Sequence, residues 1–355
     1  MKAFILGAGF SKQVGLPLAT ELTGLLTAKF RQIGDDDAIA WFDNLKRKIR
    51  KVNQNRAVGI EEVFHYAQFD VEIWKMKQQL CQVGRLNGST PWNTAKGIEA
   101  ILSNMEYDLV EVIYKKQKEA QGALEKIDRF TERVANEDTI ITFNYDTLVE
   151  DSITGMEKLW NHGLENERGG TTILKMHGSI DWLVCKRGEA EQCTNLTLLF
   201  QKKDNNRSNG SSAGSAGESE YDNELVRIEK ERIGKWIEGR DLQKGSWKST
   251  GIAGLGSYKQ LHKLPGSAMV WAEAAKSLHK CDAVFIIGFS FSPFDAMVRL
   301  AFADVMEGRE QMPQVYVINP CIDGGYESTV KAIFGEKVQL ISEVAEAIEW
   351  CKYLG

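Results

Sequence analysis

Residues 2–17 read KAFILGAGFSKQVGLP, and the fold is decided there. Ala3, Phe4, Ile5 and Leu6 form an apolar run long enough for a buried strand. Gly7 and Gly9 break it, and a helical pattern starts after Gly15, Leu16 and Pro17. A strand that empties into a glycine-rich turn and then a helix is how a parallel α/β sheet cradles a phosphate. Glycine lets the backbone come close, and a helix N-terminus offers free N–H groups and partial positive charge. The dinucleotide fingerprint has a third glycine where this chain has Lys12, and no acidic residue closes a second strand at the expected distance. From this stretch alone, a nucleotide cradle and a purely structural turn both stay open.

Working outward, residues 18–33 carry Leu22, Leu25, Leu26 and Phe30 at helical spacing. From about 38 to 134 the pattern stays helical, interrupted at 84–91, and predicts an insertion that packs on the sheet and roofs its ligand cleft. His65, flanked by aromatics on one of these helices, reads as a packing or surface histidine. The α/β pattern returns at 139–143 (TIITF), a buried strand ending in Asn144, Tyr145 and Asp146, with a helix capped by Asp146 or Thr147 to follow. The next strand, near 171–176, ends in His177, Gly178 and Ser179. Polar residues at the carboxyl ends of parallel strands stand where such sheets bind ligands, although turn and cap bonds alone would also explain them. His162, in the loop before that strand, could border the cleft; His262 and His279 are given no catalytic role. Further on, 283–289 and 314–318 read as strands, 295–306 as a helix and 344–354 as a terminal helix.

Composition bounds the rest. The 355 residues are 43% hydrophobic and 26% charged, ordinary for a globular protein. A net charge of −5 argues against direct nucleic-acid binding. Six scattered cysteines without a C-x-x-C pair suit reduced thiols in a cytoplasm. No run is long enough for a signal peptide or a membrane span. The pieces DWLVC and LTLLF between 181 and 200 suggest a small antiparallel hairpin. Residues 204–220 (DNNRSNGSSAGSAGESE) read as a flexible linker, and 225–250, basic and Trp-bearing but balanced by acids, as a solvated helix. The organisation expected is a Rossmann-like core of 1–34, 136–200 and 265–355, a helical insertion at 35–135, and a linker with a small insertion at 201–264.

Taken in order, GAGFS at 7–11 with GLP at 15–17, TFNYD at 142–146, KMHGS at 175–179, IIGFSFSPFD at 286–295 and VYVINP at 315–320 resemble the sirtuin NAD-binding core. They are most similar to the bacterial SIR2-like proteins of anti-phage defence. The resemblance implies NAD as substrate. Gly7, Ala8, Gly9 and Ser11 would hold the pyrophosphate, with Gly288, Ser290 and Asn319 on the adenosine side; Phe10, Leu16 and Pro17 would also belong to the cofactor site. It also implies Asn144 positioning water and ribose, His177 as general base or ribose partner, and Asp146 supporting the nicotinamide end or the Asn144 loop without itself reacting. The departures are equally specific. Deacylating sirtuins carry a four-cysteine zinc module, whereas Cys185 and Cys193 here stand alone, so no zinc or other metal is expected. Leu18, Ala19 and Thr20 replace the family's D-F-R, and Phe143 replaces the glutamine before the asparagine.

The expected activity is therefore NAD hydrolysis to nicotinamide and ADP-ribose, or to a cyclised product. Nicotinamide leaves as a neutral group from a cation, so no general acid is required; a positioned water captures the oxocarbenium-like ribose. Control by homo-oligomerisation or by a separate sensor protein goes with the resemblance. Two rivals stay open, an NAD-dependent protein deacylase and a non-catalytic NAD or ADP-ribose binding subunit.

Overall fold

In the computed structural model, described for residues 1–33, 36–53, 57–82, 93–164, 169–186, 196–200, 223–237, 247–253 and 264–342, the first strand lies in the middle of the main sheet. The strands are β1 (Lys2–Leu6), β2 (Thr139–Thr142), β3 (Trp160–Asn161), β4 (Thr171–Lys175), β5 (Gly178–Lys186), β6 (Leu196–Phe200), β7 (Asn223–Ile228), β8 (Trp247–Ile252), β9 (Ala283–Ile287), β10 (Gln314–Ile318) and β11 (Val338–Ile341). Seven of them form one sheet in the order β11-β10-β9-β1-β2-β4-β3, and every pairing in it is parallel. Apart from the two-residue edge strand β3, this is the strand order of the doubly wound Rossmann sheet. Ala3, Phe4, Ile5 and Leu6 are wholly buried, as a run apolar on both faces of the pleat must be. The protein is thus α/β with a Rossmann-like sheet.

The helices are α1 (Ala8–Lys12), α2 (Ala19–Ile33), α3 (Asp36–Val52), α4 (Ile60–Gln82), α5 (Asn93–Ala120), α6 (Glu125–Thr131), α7 (Leu148–Gly155), α8 (Lys230–Ile237), α9 (Ser267–Lys280), α10 (Ala296–Glu307) and α11 (Gly324–Phe334). The described part of 35–135 is helical as expected; Ile127 and Phe130 of α6 pack on the main sheet against Phe4 and Ile140, while α3, α4 and most of α5 have a second partner. Leu22, Leu26 and Phe30 of α2 join Phe42, Leu45 and Ile49 of α3, Val63, Phe64 and Ala67 of α4, and Leu109 and Ile113 of α5. That apolar stripe meets Ile180, Leu183, Cys185, Val226 and Ile252, one face of a second, antiparallel sheet ordered β6-β7-β5-β8. Its other face, with Trp182, Val184 and Leu225, joins the main-sheet core through Phe143, Leu174 and Met176.

This second sheet corrects two expectations. β5 and β6 do not form a hairpin, because β7 lies between them. The segment 225–250 is not one solvated helix: β7, α8 and β8 occupy its described part, and Leu225, Val226, Ile233 and Trp236 are buried. Tertiary burial overrides a charge pattern that, read locally, suggests solvent. The 204–220 linker and the 344–354 helix lie outside the described residues. Among the described residues no helix is long and apolar enough to cross a membrane.

Candidate functional site

The carboxyl ends of β1, β2 and β9 open into a cavity of about 540 Å³. It lies where the strand order reverses, with β2 built outward on one side of β1 and β9, β10 and β11 on the other, the place where open parallel sheets take ligands. The volume falls within the range of roughly 300–1,000 Å³ usual for small-molecule sites.

Gly7, Ala8, Gly9, Ser11, Leu16 and Pro17 line one side. A Cβ on Gly7 would sit 2.5 Å from Phe289 Cα, and one on Gly9 would sit 2.8 Å from Gly288 Cα. The glycines therefore let two backbone turns touch, and the Gly9 N–H donates to the Gly288 carbonyl at 2.9 Å. With the Gly7 and Phe10 amides also donating inside the protein, Ala8 is left exposed at the crest of the turn. The helix expected after Pro17 is present from Ala19; an additional five-residue helix opens at Ala8, inside the motif. Gly15, at φ +100°, and Pro17 separate the two. Phe10 does not line the cavity: its ring packs edge-on against Phe130 at 5.0 Å, in the core.

Asn144, Asp146 and Ser11 form one buried network. Asn144 Nδ2 donates to the Gly7 carbonyl and to Ser11 Oγ, both at 3.0 Å. The Ser11 hydroxyl donates to Asp146 Oδ2 at 2.8 Å. A carbonyl cannot donate, so the Gly7 bond fixes which end of the amide is nitrogen. Both amide hydrogens are then used, and Oδ1 is what Asn144 offers a ligand. Ser11 likewise has its one proton committed, which makes it an orienting group, not a phosphate donor. Asp146 Oδ1 also accepts from the Leu148 N–H at 3.3 Å, while Thr147 stands at the cap of α7 without a side-chain cap bond. Burial pushes the Asp146 carboxyl up, against the pull of Lys175 and the Ser11 hydroxyl.

Behind this loop Lys175, almost wholly buried, sets Nζ on the Asp146 carbonyl oxygen and lies 3.1 Å from Glu150 Oε1. Burial pushes Glu150 up to about 7, again against Lys175. His177 occupies the bend between β4 and β5. The Ala253 N–H donates to its carbonyl at 2.8 Å, and its ring lies edge-on to Phe143 at 5.0 Å. Its Nε2 is 3.7 Å from Asp295 Oδ1, and both side chains are 3% exposed. Gly288, Ser290 and Asn319 line the far side. Asn319 Oδ1 accepts from the Cys321 N–H at 3.0 Å, and the Tyr326 hydroxyl donates to the Phe289 carbonyl at 2.8 Å. Phe291, at φ +48°, is a strained residue in this loop. The helical layer supplies Leu22, Ile60, Glu61 and Ile113, so it does roof the cleft.

His162 is not at the cleft. It is wholly buried between Trp160 and Trp182, with Nδ1 donating to the Ile173 carbonyl at 3.0 Å, and burial lowers it to about 3. A histidine held neutral in the fold but charged when unfolded contributes stability above pH ~6.5, lost as pH falls toward 3. The unfolding free energy of the wild type minus that of His162→Phe should therefore fall across this window, by on the order of 4 kcal/mol. Asp146, Asp181 and Glu150, raised by burial, act in the opposite sense and cancel in the difference. Urea titrations at pH 7.5, 6 and 5 should already show roughly 2 kcal/mol of that change; parallel curves would contradict the assignment. His65 packs against Tyr66 and Phe294, each at 5.3 Å, as a packing histidine should.

Two further cavity residues, Tyr145 and Asp295, lie within the same strand-end motifs. Tyr145 has its hydroxyl buried with no hydrogen-bond partner, and burial holds it well above its usual range, a neutral donor. Asp295, after Ser-Pro-Phe, reads in sequence as an ordinary helix cap. Among the described residues no group of three or more His, Cys, Asp or Glu could hold a metal ion.

Fold and site together define a Rossmann-like α/β protein with a ligand-sized cavity at the sheet's switch point. No protein-family model matches the chain, and no curated protein matches its sequence.

Proposed function

We propose that the protein hydrolyses NAD at the nicotinamide–ribose bond. The observation that carries this is the convergence on one switch-point cavity of the Asn144–Ser11–Asp146 network and His177, beside the turns at Gly7–Gly9 and Gly288. The ordered motifs that resemble SIR2-like NAD-consuming proteins of bacterial defence support the same reading. The residues fit the substrate in kind. Lys12, held by Glu21 at 2.6 Å, is the cation among the described lining residues, at the turn where pyrophosphate would lie. Asn319 and Ser290 would take the adenosine side.

Cleavage sends the C1′–N1 bonding pair to the pyridinium nitrogen, which leaves as neutral nicotinamide. Asn144 Oδ1 accepts from the attacking water or a ribose hydroxyl, and the water adds to C1′ while its proton passes to neutral His177. Tyr145 is the neutral donor available to the carboxamide. The products are nicotinamide, ADP-ribose and a proton. Within this reading the protein works in the cytoplasm as a defence effector, held in check as a homo-oligomer or by a separate sensor protein.

Purified protein should release nicotinamide from NAD without any acylated peptide, and Asn144→Ala and His177→Ala should each reduce kcat by roughly 10²-fold or more. Binding of NAD or ADP-ribose without release would leave a binding subunit. Release only with an acylated peptide would make it a deacylase.

A further inference from the structure

We propose that Asp295 is a positioning residue for His177, pairing with it as a carboxylate–imidazole dyad that raises the basicity of the ring. The proposal rests on the hydrolase reading for its catalytic consequence, not for the pair itself.

Asp295 stands at the position preceding α10, where an aspartate ordinarily accepts a bond from the first-turn amides. Its side chain makes no such cap bond. The cap of the preceding turn is made by Ser292, whose Oγ accepts from the Phe294 N–H at 3.2 Å. The Asp295 carboxylate instead lines the cavity, 3.7 Å from His177 Nε2, and is 3% exposed. A carboxylate withheld from its local bond and placed against an imidazole is what stabilises an imidazolium. When water gives its proton to the imidazole and its oxygen to C1′, the charge formed on the ring is stabilised by Oδ1 beside Nε2. The low dielectric of the buried site makes that attraction larger than at a surface.

Other charged and titratable groups bear on the ring as well. Tyr145 lies beside it with ring centroids 6.0 Å apart, and Asp146, Glu61 of α4 and Lys12 of the first turn share the cavity. His65 of α4 packs on Phe294, next to Asp295. Among the described lining residues Lys12 is the other cationic side chain, and removal of Asp295 should leave the imidazolium with less support.

The test follows His177 by imidazole NMR in the full-length protein, its signals assigned by their loss in His177→Ala. The titration midpoint should fall by about one pH unit in Asp295→Asn and stay near the wild-type value in Asp295→Glu. In turnover, Asp295→Asn should lower kcat roughly 10–100-fold, leave KM within about threefold, and move the acid limb of kcat/KM to lower pH by the same unit. A loss of activity with an unmoved midpoint and limb would mean a merely structural role and overturn the proposal. A lowered midpoint in a protein that never releases nicotinamide would uphold the pair while sinking the hydrolase reading. If Asp295→Asn does not fold, Asp295→Glu decides: a midpoint below wild type by as much as in Asp295→Ala overturns the proposal.

Discussion

Asn144→Asp is expected to be more damaging than Asn144→Ala, although it changes the side chain by a single group. Nδ2 gives one hydrogen to the Gly7 carbonyl and one to Ser11 Oγ. An isosteric carboxylate would turn lone pairs toward an acceptor-only carbonyl, and Ser11 has no second proton to offer because its own goes to Asp146. The substituted side chain would either ionise next to another buried carboxyl or stay protonated with one hydrogen doing the work of two. Each alternative leaves a buried polar atom unpaired, at a cost of roughly 3 kcal/mol or more; Asn144→Ala removes the group together with its needs and should cost about 1–2 kcal/mol. Denaturant titrations at pH 7 rank the three proteins. Equal stability of Asn144→Asp and the wild type would show that the amide is not engaged as described. Nicotinamide release should vanish in both variants, so stability, not activity, tells them apart.

Gly178→Ala should have the largest structural effect of any single methyl added at a described position near the site. Gly178 sits at φ +78°, and a Cβ there would lie 1.9 Å from the Gly251 carbonyl oxygen and 3.1 Å from Ile252 Cα. Both obstacles are backbone of β8, so no rotamer change relieves them. Left-handed geometry alone costs an L-residue roughly 1–2 kcal/mol, and displacement of β8 also removes the Ala253 bond to the His177 carbonyl. A loss of about 3–5 kcal/mol is expected, seen as a fall in Tm of roughly 4–7 °C, with His177 released from its place. Gly24→Ala, in an open position on α2 with nothing within 4 Å of the added Cβ, is the control and should be neutral or slightly stabilising. Equal melting of the two variants would refute this account of the His-Gly pair.

That pair shows how far the sequence could be read. β1, β2, β4, β9 and β10 are legible because each is a short apolar run closed by glycine, asparagine or histidine. Asn144, Asp146 and His177 follow directly, since strand ends in a parallel sheet share one edge. β3 is too short to leave a pattern, and β11, only partly buried, carries a weak one. The order β6-β7-β5-β8 escapes because pairing between distant strands has no local signature. Phe10 misleads for a related reason: next to a glycine it looks like part of a ligand turn, yet the side chain follows α1 into the core. Gly7 and Gly9 are legible as necessary, but what necessitates them is Gly288 and Phe289, nearly three hundred residues away.

That separation governs when the cavity can exist. β1 leaves the ribosome first, yet its two neighbours are β2 and β9, and β9 arrives only at residues 283–287. His177 waits for β8, and the far wall waits for β10. A nascent chain can pair β1 with β2, and so join the asparagine to the serine, long before β8 and β9 complete the pocket around them and the histidine. Assembly of the pocket is a late, non-local event, slow compared with helix formation in the 35–135 segment. Chains interrupted during translation before β9 lack the central pairing, and thus carry the chemistry-bearing residues without the means to use them.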